Sequence, residues 1–329
     1  MKRFTNINPR SLKDAVTAVG AGRSAGQHVE VAGGGTDLLQ LMRERIITPD
    51  VLINLKSVPS NKTIATTSRG VAIGGLTTLT TVASHAGLRQ THAVLAEAAE
   101  SVATPQIRNV GTLAGNVCQR PWCWYYRNGF KCFKNGGNVC YSAAGENEFH
   151  AIFGGGPSYI VHPSDTAVAL VALDASFVLL SAKGERTVAA REFFALPTVN
   201  AAVENVLKDG EILAEIRLPA ARPGTKSHYL KVLDRETWTH AVVSAAVTLR
   251  VESGICREAR IVLGGVAPVP WTLTEVEKML IGKRVDETVA GDAGRLAVAD
   301  ARPLTRNRYK VPLTSVTVKR ALLEAAARA

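Results

Sequence analysis

The sequence is short of acidic and of aromatic side chains. Its 329 residues carry 28 Asp and Glu against 39 Lys and Arg, a formal charge of +11, with 5% aromatics. The basic residues are scattered, with no run of five or more, so the excess predicts a solvated surface with some steering rather than a nucleic-acid arm. No apolar stretch approaches the length that crosses a bilayer, so no membrane insertion is expected. No apolar run follows the basic start MKRFTNINPR, so a signal peptide is not expected and the cytoplasm is the default. The GK[ST] signature is missing, which excludes a P-loop, and none of the seven histidines stands in a recognised nucleophile triad motif. His162, beside Pro163, reads as a turn residue rather than a base. Five cysteines, an odd number, argue against a disulfide framework in a chain without a secretion signal.

Small-residue turns are plentiful in the first half. Leu12, Ala15, Val16 and Val19 recur at helical spacing, with Ser11 and Asp14 as a capping box and Gly20 as the stop. Val29 and Val31 then predict a strand, Gly33-Gly34-Gly35 a turn, and Leu38 to Met42 a helix, followed by a strand at Val51-Leu52-Ile53. A strand, a glycine turn and a helix start aim backbone N–H groups at one point, with the helix dipole behind them. The match to GxGxxG fails at Leu38, so this turn alone is compatible with a structural role or a phosphate-binding one. The pattern returns at Gly70 to Ile73, Gly74-Gly75 and Thr77-Thr78-Leu79, and a third turn follows at Gly111-Thr112-Leu113-Ala114-Gly115-Asn116. Three such turns together point to a long dianionic group such as a pyrophosphate, and so to a nucleotide cofactor.

The segments AGGGTDLLQLM, IGGLTTLT, TPQIRNVGTLAGN and HPSD occur in that order, with KVLDR, GGVAPVP and YKVPL further on. Together they resemble the FAD-binding (medium) subunits of the molybdenum hydroxylases, in particular the bacterial aldehyde oxidoreductase subunits. The resemblance covers nearly the whole chain. It implies an α+β fold, with a two-subdomain FAD-binding domain of the PCMH/vanillyl-alcohol-oxidase type over residues 1–220. The subdomains would span about 1–56 and 57–220, and a smaller α+β C-terminal domain would span 224–329. By resemblance, Ala32, Gly33, Gly34, Gly35, Thr36, Asp37 and Leu38, with Gly74, Thr77 and Thr78, lie along the FAD pyrophosphate and ribityl chain. Ile107, Gly111, Thr112, Gly115 and Asn116 approach the flavin and its phosphates, and Ser164 and Asp165 contact the far end of the cofactor. Read without the resemblance, HPSD is a turn with a helix cap, and both readings can hold at once.

A cysteine-rich loop over 118–158 follows the third turn. Cys118, Cys123, Cys132 and Cys140 are spaced C-x4-C-x8-C-x7-C, which is not a common zinc or ferredoxin spacing. Arg120, Arg127, Lys131 and Lys134 are expected to lower the thiol pKa values and to offset the charge of a thiolate-bound cluster. The alternative is that the cysteines are small buried hydrophobes under an aromatic loop. In relatives with a CWYF-type loop this insertion holds a [4Fe–4S] cluster, and Cys123-Trp124-Tyr125-Tyr126 resembles that loop. Those relatives place a cysteine four residues before the histidine of HPSD, where this chain has Ser158. Cys118 is the residue expected to complete the ligand set; three cysteines with a serine, or no cluster, are the other outcomes.

The resemblance implies an electron-transfer subunit of a heterotrimer. Its partners would be a large molybdopterin subunit that oxidises an aldehyde or N-heterocycle and a small [2Fe–2S] subunit. Electrons would run from molybdenum through the clusters to FAD and on to an acceptor. Related complexes can also be exported folded, so a periplasmic location by co-export is the alternative to the cytoplasm. A stand-alone FAD-dependent oxidase or reductase is the other function considered. A zinc-holding nucleic-acid module is disfavoured by the flavin-type motifs, so no nucleic acid is expected as a partner.

Overall fold

The structure is a computed structural model that describes residues 1–236 and 239–328. Three sheets succeed one another along the chain. The first joins β1 (Thr5–Ile7), β2 (Val29–Ala32) and β3 (Val51–Asn54) in parallel, with β3 in the centre. The second is antiparallel, in the order β4 (Ile64–Thr67), β5 (Gly70–Gly74), β8 (Ile212–Pro219), β6 (Ser176–Ser181), β7 (Gly184–Ala189). The third, also antiparallel, orders β12 (Trp271–Thr272), β11 (Ile255–Gly264), β10 (Val243–Glu252) and β9 (Thr225–Val232). Helices pack on all three sheets, so the fold is α+β.

The first helix, Leu12–Ser24, begins where Ser11 accepts from the Asp14 N–H at 3.0 Å. It runs through Gly20, the expected stop, because Gly22 lies against β2: a Cβ there would come 2.7 Å from Val29 Cγ2. The chain turns instead at Gly26, whose φ of +72° suits glycine. The last helix spans Lys310–Ala327. Pro312 sits in its first turn, where a missing N–H breaks no helical bond.

The main core lies on the second sheet under the helices Ala93–Glu100 and Asp165–Ala172. All eight residues of Asp165–Ala172 are buried, which is why that segment shows no amphipathic period. Tyr229, Ala246 and Val262 of the third sheet join the same core. A second core gathers β10 and β11 with the helices Thr274–Leu280, Glu287–Leu296 and Lys310–Ala327. Each fully buried Leu, Ile or Phe in these cores contributes about 1.5–3 kcal/mol. Among the described residues no helix is long and apolar enough to cross a membrane.

Candidate cofactor site

The three glycine turns meet, and the second and third are joined main chain to main chain. The Leu79 N–H donates to Gly111 O at 2.9 Å, the Leu113 N–H to Thr77 O at 2.9 Å, and the Ala114 N–H to Gly75 O at 3.0 Å. Gly34 of the first turn presses on the third: a Cβ there would come 2.1 Å from Val110 O. A Cβ on Gly33 would come 2.6 Å from Thr112 Oγ1. Gly35 has φ +76°, so the first turn needs glycine for conformation as well as for space. The helices leaving the turns are short, Leu38–Arg43, Leu79–Ser84 and Leu113–Val117, so the dipole expected behind each is weaker than a full-length helix supplies. Backbone crowding and hydroxyls build the site instead. Thr112 Oγ1 accepts from the Gly115 N–H at 3.1 Å, and Asn116 Oδ1 accepts from Ser164 and Thr166 hydroxyls, both at 2.6 Å.

A cleft of about 300 Å³ opens beside the turns, lined in part by Thr36, Asp37, Ile107, Gly111, Thr112, Gly115, Asn116 and Asp165. A neighbouring hollow of about 200 Å³ adds Ala32, Gly33, Gly34, Gly35 and Leu38 and shares Thr36, Asp37, Thr112 and Gly115 with the first. Gly74, Thr77 and Ser164 are buried and Thr78 half-buried, and all four support the turns that line the cleft. The lining of the cleft combines glycine, threonine and asparagine with the apolar Leu79, Val102, Ala103 and Ile107. A ligand with a phosphate-bearing part and a planar apolar part fits that mixture, and the missing Cβ atoms of Gly33 and Gly34 let the first turn close on Thr112 and Val110. The residues present therefore fit an FAD.

Two acids in the cleft are engaged by the protein. Asp37 accepts from Arg127 Nη2 at 2.6 Å and from the Arg120 N–H at 2.9 Å, which ties the first turn to the cysteine loop. Asp165 accepts from Tyr229 OH at 2.6 Å and from Lys231 Nζ at 2.7 Å, which ties it to the third sheet. Burial first, then the Asp165 charge, pushes Tyr229 well above the ordinary tyrosine range. Trp122, Arg235, Thr239 and His240 also line the cleft and went unforeseen, although the KVLDR segment ends on Arg235.

The cysteine loop divides its thiols. Cys123 and Cys132 share a small core with Leu41 and Tyr126. His150 Nε2 is 3.4 Å from Cys123 Sγ, and the Tyr159 N–H donates to Cys140 Sγ at 3.4 Å. Cys118 lies apart, against the main core and beside Gly33 and Thr112. Among the described residues no three His, Cys, Asp or Glu side chains are grouped to hold a metal ion. A four-cysteine set that includes Cys118 does not fit this arrangement.

The basic residues of the loop do not lower the thiol pKa values as the sequence leads one to expect. Burial pushes Cys118 up to about 12 and Cys123 up to about 11. The cations are spent elsewhere: Lys134 and Arg120 reach Glu204 at 2.9 and 3.3 Å, and Arg127 holds Asp37. Lys134 also donates to Val203 O at 2.7 Å. Burial lowers the Lys134 pKa despite the Glu204 charge beside it.

Residues 2–221 match the model of the FAD binding domain in molybdopterin dehydrogenase, and 228–325 match that of the CO dehydrogenase flavoprotein C-terminal domain. The chain belongs to the FAD-binding medium subunits of the molybdenum hydroxylases. It is an oxidoreductase component that binds FAD and transfers electrons. The aldehyde oxidoreductase FAD-binding subunit PaoB of Escherichia coli K12 is 33% identical over 335 residues, covering 100% of both chains. The carbon monoxide dehydrogenase medium chain of Hydrogenophaga pseudoflava is 29% identical over 99% of this subunit and 98% of its own length. Among solved structures, a chain of the cyanide-inactivated Cu,Mo-CO dehydrogenase superposes with a TM-score of 0.78 at 26% identity, with 100% of both chains covered. These similarities extend the family assignment across both parts of the subunit.

Proposed function

We propose that this subunit works in a heterotrimer with a large molybdopterin subunit and a small [2Fe–2S] subunit, oxidising an aldehyde or an N-heterocycle. The observation that carries the cofactor assignment is the meeting of three glycine turns beside one cleft, the second and third hydrogen-bonded main chain to main chain and the first packed on the third. When bound there, FAD accepts electrons singly or in pairs and passes them to an acceptor. Gly33 to Asp37 and Gly111 to Asn116 would bind its phosphates, Ile107 and Leu79 its apolar end, and Asn116 would be oriented by Ser164. Asp165 would act as a fastener behind the cofactor, since Tyr229 and Lys231 engage its carboxylate. The division into 1–220 and 224–329 is part of the same reading, supported by the change of sheet between β8 and β9. The aldehyde class is favoured by the likeness to PaoB.

We further propose that any [4Fe–4S] group in the loop is held by Cys123, Cys132 and Cys140, without Cys118. The shared small core of Cys123 and Cys132, the N–H donated to Cys140, and the separate position of Cys118 against the main core support this assignment. An absorption spectrum after reconstitution tests both parts. FAD gives bands in the blue and the near ultraviolet, and their absence would sink the cofactor reading. Iron, sulfide and a broad shoulder between the bands are expected to persist in Cys118→Ser and to disappear in Cys123→Ala. Loss of iron in Cys118→Ser would overturn the three-thiol assignment.

A further inference from the structure

Two rings from distant parts of the chain stand side by side in the lining of the cleft. The Trp122 and His240 rings meet with centroids 4.9 Å apart, tilted by 41°, and both line the cleft. Trp122 also carries the Arg127 guanidinium 4.3 Å from its centroid, and Arg127 is fixed by Asp37 of the first glycine turn. His240 is anchored in turn through the Pro163 carbonyl, and burial holds it below its ordinary pKa, as a neutral ring. Trp122 therefore has cationic and aromatic contacts that hold it in place, yet 36% of its surface stays open. An indole fixed in one orientation has little ordering entropy left to lose when a planar group stacks on it. Among the described residues that line the cleft, Trp122 carries the one large aromatic ring, so it is the stacking surface the cleft offers a planar group.

We infer that Trp122, held between Arg127 and His240, forms the wall against which the flavin ring of the bound cofactor rests. This rests on the FAD reading above. It makes the cysteine loop a part of the flavin site independently of any metal the loop holds. It also gives Asp37 a second duty, because the acid beside the phosphate turn sets the position of the wall through Arg127.

The test uses the full chain loaded with FAD and compares the parent with Trp122→Ala, Trp122→Phe and His240→Ala. Trp122→Ala is expected to bind FAD roughly three- to tenfold more weakly, the size of a lost ring contact. Its bound flavin should emit several-fold more strongly, because an adjacent indole quenches flavin emission by electron donation. Trp122→Phe is expected to keep the parent affinity and still gain emission, since benzene is a poor electron donor. His240→Ala should shift both readouts in the direction of Trp122→Ala, by less. Parent-like emission in Trp122→Ala and Trp122→Phe would overturn the inference. So would weaker binding in Trp122→Ala with no gain in emission, since that assigns Trp122 to the Arg127 clamp alone. A parent that binds no FAD would overturn the cofactor reading itself and is scored separately.

Discussion

The glycine turns and the cysteine loop meet at Asp37, but different forces hold them. The turns interlock through main-chain hydrogen bonds and the close approach of Gly34 to Val110. The loop is held by side chains: Arg127 on Asp37, Lys134 and Arg120 on Glu204, and edge contacts among Trp124, Tyr125, Phe130 and Tyr141. Backbone interlocking tolerates almost no change at the glycines and little restriction elsewhere. A side-chain scaffold spreads its demands over many residues, each of which can be replaced at moderate cost.

The sharpest way to break the first region is Gly34→Val, which sets a branched side chain into Val110 O. It should cost about 3 kcal/mol and abolish FAD binding, read by thermal unfolding and flavin titration. Parent-like binding would show that the turns can separate without loss. In the loop, Arg127→Met leaves Asp37 without its cation. Because Asp37 keeps 20% of its side-chain surface exposed, the loss should be about 2 kcal/mol, below that of a fully buried pair. Adding Asp37→Asn should recover part of it, and strict additivity in the double-mutant cycle would deny the coupling.

A further effect depends on pH. Burial, and then the Lys134 charge, push His162 down from 6.5 to about 3. The unfolded chain takes up this proton below about pH 6.5, while the folded one stays neutral to about pH 3. Stability from the neutral ring is therefore complete above pH 6.5 and falls with pH below it, by up to about 1.4 kcal/mol per unit. His162→Gln should flatten the urea midpoints measured between pH 7 and 4.5; an unchanged slope would assign the acid lability to other groups. The smallest expected change is Trp124→Ala, on a side chain 57% exposed, at about 1 kcal/mol for its edge contact with Tyr125. A larger loss would mean that the aromatic cluster, and not the charge pairs, carries the loop.

The same difference decided what could be read from the residues. Ser11 and Ser164 were visible as caps because a cap is a local hydrogen bond. The glycine turns were visible because close backbone approach needs glycine whatever lies opposite. The edge strands β4 and β7 were not, since exposed polar edges lack the apolar alternation that marks a strand. Trp122 and His240 carry no local signal, because their contact joins segments far apart in sequence. The pairing of Glu204 with Lys134 was hidden for the same reason, and with it the fate of the loop's positive charge.

The tie from Asp165 to Tyr229 and Lys231 has a consequence for the intactness of the chain. The connection from Pro219 to Thr225 is exposed, whereas the tie and the core around it are buried. A protease that nicks this connection should leave two fragments that copurify, elute as one species and retain bound flavin. Continuity of the peptide at that point then serves assembly of the subunit, and the finished site no longer depends on it.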